Sequence, residues 1–182
     1  YTPMVAPLQA ATHQHFYDAS RGVFLNRADS DAASVLVNAF CILAGVASEE
    51  ESTRIAEIIV EGKEALTPAT LSMLCFKYDA LLKVDAEQYS SFIYGELRSK
   101  FKRMLDMGAT TFWEDFDLDW MKNAGRIDEV VPEGMVDIHG DYGNYCYVKF
   151  RHSLCHGWAS GPCPYLTNYV LGIRNLAPGK YE

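Results

Sequence analysis

Residues 108–117 read GATTFWEDFD and gather Phe112, Trp113 and Phe116 around the carboxylates of Glu114, Asp115 and Asp117. A solvated loop rarely holds three aromatic rings so close together; rings mixed with carboxylates point to a lined pocket. Trp113 beside Glu114 supplies an apolar wall that helps tune a carboxylate for proton transfer. The plainer reading of Glu114 is a residue that caps or solvates the start of a helix. Asp115, Asp117 and Asp119 alternate through EDFDLDW as ligands do in a calcium loop, but the glycine of that loop is absent and Trp120 follows. Capping or solvation suits these three carboxylates better. His152 and His156 stand four apart, which places two imidazoles on one helical face, yet no Glu follows His152 and the zinc pattern is not met. His156 suits either a hydrogen-bonding role in a pocket or a satisfied place at a helix start. Phe112, Trp113 and Trp158 offer flat faces for stacking on a ligand ring, and core packing explains each nearly as well. His13 and His15 diverge on a helix and are given no site. Nothing around Gly157, Gly161, Pro162 and Pro164 resembles a phosphate loop. No metal and no cofactor is expected.

The 182 residues suffice for one domain with a sizeable core. A formal charge of −8 argues against a nucleic-acid surface, which needs a basic face. No apolar run approaches the ~20 residues of a membrane span. Cys41, Cys75, Cys146, Cys155 and Cys163 form no CxxC pair. Cys41 and Cys75 sit in apolar helical patterns and read as small core residues, while two of the other three could form a disulfide. The compartment is left open. The opening YTPMVAPLQA is expected to belong to a longer protein.

The elements that position these residues are helices, because apolar spacing of three and four recurs almost throughout. Leu8, Ala11, His15 and Ala19 form a first stripe; Val35, Ala39, Leu43 and Val46 a second. Ile55, Ile58 and Ile59 mark a third helix closed by a left-handed Gly62. Thr67 followed by Pro68 reads as the cap and first residue of a fourth, carried by Leu71, Leu74, Cys75, Tyr78 and Leu82. Asp85 caps a fifth, with Tyr89, Phe92, Ile93, Leu97, Phe101 and Leu105 inward. From Gly108 to about residue 150 the helical signal fades into one long loop with room for a small hairpin. Helix returns near Ser153 and ends at Pro178 and Gly179. Six helices joined by short turns predict an all-α fold of antiparallel helical hairpins.

GATTFWEDFD, followed later by SLCHGWASGPCPYLTNYVLGIRNLAPG, resembles the bacterial α-L-rhamnosidase-like six-hairpin glycosidases of glycoside hydrolase family 78. Members typically show a GATT-x-WE segment, matched here by Gly108, Ala109, Thr110, Thr111, Trp113 and Glu114. They also show an SLNH-type segment, matched by Ser153, Leu154, Cys155 and His156, that leads into a helix ending Y-x-x-GI. VNAFCILAGVAS is similar to the family's NALALLAGL helix. Cys155 stands where Asn is common, and the two motifs lie farther apart than is typical.

The resemblance implies an (α/α)6 barrel, of which residues 1–174 would form about the C-terminal half of a toroid. Residues 175–182 would lead toward a C-terminal β-domain. It implies hydrolysis of a terminal sugar with inversion, an oligosaccharide or glycoside being the substrate. Glu114 is then the general base, with Trp113, His156 and Trp158 around the sugar and the general acid outside this chain. A severed half-barrel would expose apolar surface and call for the remaining half or for self-association. The competing expectations are a non-catalytic helical module that binds glycans or protein, and another (α/α)6 hydrolase such as an unsaturated glucuronidase.

Overall fold

Ser34 and Ser48 each start a helix for a local reason: a side-chain oxygen meets a backbone N–H that has no partner inside the helix. The computed structural model describes residues 1–136 and 153–182. They fall into two units, Tyr1–Ala69 with Phe76–Ile93, and Thr70–Cys75 with Tyr94–Glu182. Helix dominates, and the strands are short pairs, so the all-α expectation holds. The hairpin expected in the long loop, together with His152 and Cys146, lies outside the described residues.

In the first unit, Ser34 Oγ accepts from Val37 N and opens α2 (Val35–Leu43). Ser48 and Glu51 form a reciprocal capping box at α3 (Glu49–Glu61), with three glutamates in the first turn where the helix dipole favours them. That helix closes at left-handed Gly62, as its sequence predicts. Lys83 Nζ donates to the carbonyls of Ile42 and Leu43 at 2.8 and 3.1 Å and so caps the end of α2. Phe24, Ala39, Ile42, Ile55 and Ala80 form the core. Burial pushes the Cys41 thiol up to about 11, as suits the core role read for it.

Two strand pairs bind the connecting segments: β1 (Tyr17–Asp18) antiparallel to β2 (Val23–Phe24), and β3 (Ala33–Ser34) parallel to β4 (Leu66–Thr67). Asn38, wholly buried, locks them to α2. Its Oδ1 accepts from Phe24 N at 2.8 Å, and its Nδ2 donates to the carbonyls of Phe24 and Ser34.

Two expectations fail here. Thr67 does not cap a helix, because it is taken up in β4; a 3-10 turn at Leu71–Met73 precedes α4, which begins only at Leu74. The stripe on α1 (Thr2–Phe16) is out of register. Leu8 is exposed and no residue of this helix is buried. Two polar anchors and one ring seat it instead: Gln9 Nε2 donates to Ala44 O at 2.7 Å, His13 Nε2 meets Glu51 Oε1 at 2.8 Å, and Phe16 packs against the core. His13, given no site from the sequence, also lies 4.8 Å from the ring of Tyr17.

Helix α4 (Leu74–Asp106) is interrupted at Asp85, whose backbone is extended at φ −157 and ψ 104 and whose Oδ1 accepts from Gln88 N. The expected cap at Asp85 is therefore present. Beyond residue 93 the helix belongs to the second unit, where Leu97 and Met104 are buried but Leu105 is 64% exposed, against expectation. It ends in a Schellman closure: Gly108 N donates to Leu105 O, and Ala109 N to Met104 O, around a glycine at φ +87. A Cβ on Gly108 would lie 2.2 Å from Asp128 Oδ1. Arg126 holds that carboxylate with a two-pronged grip and donates its third nitrogen to Asp106 O. The same hydrogen bonding keeps the Asp128 carboxyl below its ordinary range.

The continuous helix expected from Ser153 is broken into a 3-10 turn (Gly157–Ser160), α5 (Pro162–Tyr165) and a π turn (Leu166–Val170). Pro162 and Pro164 lack the N–H that a continuous ladder would need. Strands β5 (Asn175–Ala177) and β6 (Lys180–Tyr181) then pair as a hairpin about Pro178 and Gly179.

Candidate functional site

The Schellman closure delivers the chain from α4 directly into Thr110–Glu114, and this segment pairs by backbone with residues 153–156. His156 N donates to Phe112 O at 2.7 Å, and Glu114 N to Ser153 O at 2.9 Å. The Thr111 hydroxyl donates to Leu154 O. Two sequence motifs about 40 positions apart thus become one rung of structure. The 3-10 turn fastens the same segment from another side, since Ser72 N donates to Glu114 O at 3.2 Å and Leu71 N to Asp115 Oδ1 at 3.4 Å.

Glu114 sits at the centre of this clasp, half-buried. Its Oε2 accepts from Ser153 N at 3.0 Å. Among the described residues, no hydrogen bond reaches Oε1. One oxygen is therefore fixed by the backbone while the other is available to a water or a ligand. Glu114 does not cap a helix.

His156 lines a cavity of about 520 Å³ together with Phe101, Phe112, Cys155, Cys163 and Leu166. Neither Glu114 nor Trp158 lines it. Trp158 is 71% exposed, whereas Trp113 is wholly buried with its ring edge-on to Phe116 at 5.6 Å. Trp113 has no face to offer a sugar, and its expected contact with substrate is corrected to core packing behind Glu114. The alternating aspartates are accounted for locally: Asp117 Oδ1 accepts from Asp119 N and caps the 3-10 turn Leu118–Met121, and Asp115 Oδ1 accepts from Phe116 N. No group of three potential metal ligands occurs among the described residues. Nor is any described helix long and apolar enough to cross a membrane. Cys155 and Cys163 are free thiols.

Sequence reasoning found the two motifs but missed what joins them. Backbone hydrogen bonds leave no side-chain periodicity to read. The pocket expected at GATTFWEDFD is present in part, since residues 109–112 and His156 line the cavity, but the sequence did not show that Phe101, Cys163 and Leu166 complete it.

The helical arrangement has a counterpart among solved structures. The chain superimposes on a rhamnosidase from Klebsiella oxytoca with rhamnose bound, with a TM-score of 0.66, 21% sequence identity and coverage of 91% of this chain. It spans 28% of the length of that rhamnosidase. No known family of sequences and no curated protein matches the chain. The fold thus resembles part of a rhamnosidase, at an identity that speaks to architecture alone.

Proposed function

We propose that this chain is part of the catalytic domain of a glycoside hydrolase, α-L-rhamnosidase-like, that removes a terminal sugar with inversion. Residues 1–174 form about half of an (α/α)6 toroid, and 175–182 lead toward a C-terminal β-domain. Glu114 is the general base: Oε1 takes a proton from a water whose oxygen attacks the anomeric carbon. The leaving oxygen is protonated by an acid outside this chain. Trp158 stacks on the apolar face of the sugar, and His156 donates or accepts at one of its hydroxyls.

The observation that carries this reading is the clasp, in which Ser153 N–H holds one oxygen of Glu114 while the other is left unengaged by the described residues. The similarity to a rhamnosidase solved with its sugar gives the reading its substrate class. The partner is the remaining half of the barrel, or a second copy seated on exposed apolar residues such as Leu8, Val170 and Leu171.

The test is hydrolysis of an aryl α-L-rhamnoside by the protein in its complete barrel, beside a panel of aryl glycosides. Release from the rhamnoside supports the proposal, and release only from a uronic-acid glycoside points to a different helical hydrolase. One observation favours a glycan-binding module instead: Glu114 and Trp158 do not share the cavity that His156 lines. Binding of rhamnose with no hydrolysis of any glycoside would decide for that reading.

A further inference from the structure

The cavity that His156 lines is walled mostly by apolar side chains. Its volume of about 520 Å³ lies in the range that encloses a drug-sized ligand. Phe101 and Phe112 meet edge to face on its wall, centroids 6.0 Å apart at 76°, and Met104, Leu105 and Leu166 complete an apolar lining. Among the described residues no Asp, Glu, Lys or Arg lines it, and its polar side chains are those of Thr110, Thr111 and His156 beside two cysteines. The Thr111 hydroxyl is already committed to the Leu154 carbonyl. Thr110 and His156 are the described side chains left to hydrogen-bond a ligand, fewer than the several hydroxyls of a whole sugar ring would need on leaving water. Aromatic and apolar walls with few polar groups match a flat apolar guest that carries a single polar group.

We propose that this cavity binds a neutral aromatic ring system, of about two fused rings, with one hydroxyl or ether oxygen directed at His156. The ring reaches the cavity either as a free phenol or as the aryl part of a glycoside. The assignment does not depend on the hydrolase reading.

The cavity carries its own reporters, because Cys155 and Cys163 are exposed free thiols on its wall and Cys41 is buried. Alkylation of the protein by N-ethylmaleimide, followed cysteine by cysteine by mass spectrometry, reads occupancy. At about ten times its Kd, 2-naphthol is expected to slow alkylation of Cys155 and Cys163 about tenfold, and rhamnose is expected to have no effect. Leu166→Trp fills the cavity and should abolish the protection; Gly157→Leu, at a position where an added Cβ meets nothing within 4 Å, is the second filling variant should the first fail to fold.

Protection by 2-naphthyl α-L-rhamnoside but not by 2-naphthol would also support the assignment, with the glycoside as the source of the ring. Equal protection by methyl α-L-rhamnoside would overturn it, because the sugar and not the ring would then fill the space. Protection by none of these ligands would overturn it too, even in a protein that hydrolyses rhamnosides. Protection in a protein that hydrolyses nothing would leave the cavity assigned and remove the hydrolase reading alone.

Discussion

The first unit fixes its backbone with side chains, and the second fixes its candidate site with backbone. Asn38, Lys83, Gln9 and the Ser48–Glu51 box each spend a polar side chain on a main-chain group. Around Glu114, by contrast, the segments 112–114 and 153–156 hold each other mainly through their own amides and carbonyls, with the Thr111 hydroxyl and one Glu114 oxygen added. A side chain committed to architecture cannot also take up a ligand. The second scheme leaves the side chains of His156 and Trp158 and one oxygen of Glu114 without a hydrogen bond among the described residues, and the proposed function draws on that difference.

A wholly buried side chain in each unit, Trp113 and Asn38, offers the sharpest way to break the comparison. Trp113→Ala removes the ring behind Glu114 and should cost about 3–5 kcal/mol in urea unfolding. Asn38→Ala leaves the Phe24 amide and two carbonyls without their partner, and a loss on the order of 3 kcal/mol is expected from the same measurement. If Asn38→Ala were neutral, the first unit would not rest on its polar clasp.

Gly108→Ala tests the entry to the clasp. An L-residue at φ +87, its Cβ driven onto the carboxylate that Arg126 grips, should destabilise by more than about 1 kcal/mol. Gly62→Ala, where an added Cβ meets nothing, isolates the conformational part of that loss.

The smallest effect is set by pH in the first unit. Burial opposes ionisation of Glu51, but the Ser48 amide and the His13 ring outweigh it and hold the carboxyl below its ordinary value. Because the folded value is lowered, the contribution is fully present above the unfolded value of about 4.3 and disappears as the pH falls through the folded one. Glu51→Gln should therefore lose up to about 1 kcal/mol at neutral pH and converge with the parent protein in acid. Parallel stability curves down to acid pH would show that Glu51 contributes nothing through its charge.

The same contrast explains how far the sequence could be read. Local devices were legible: Gly62 closes α3 and Asp85 caps a helix where their residue types say they should. Thr67 carried an equally good local signal and failed, because pairing of β4 with β3 is non-local and overrode it. On α1 the apolar stripe misled, since the helix is seated by Gln9 and His13 on partners some 35 residues away. For the candidate site, motif resemblance singled out Glu114, Trp113, His156 and Trp158, and the structure joins the two motifs that carry them by backbone hydrogen bonds. Residue type could not say that one tryptophan turns inward and the other outward. Nor could it show that Phe101 and Leu166 meet across a cavity, for that follows from how α4 and the broken helix after Gly157 pack.

Replacement of Glu114 with Ala in the complete barrel, with turnover of an aryl α-L-rhamnoside followed with and without azide, tests the central claim most directly. A general base lost from its place should lower turnover on the order of 10³-fold. Azide, which attacks without needing a base, should restore it and yield a glycosyl azide of inverted anomeric configuration. Undiminished hydrolysis by the Glu114→Ala protein, or an azide product with retained configuration, would contradict the account.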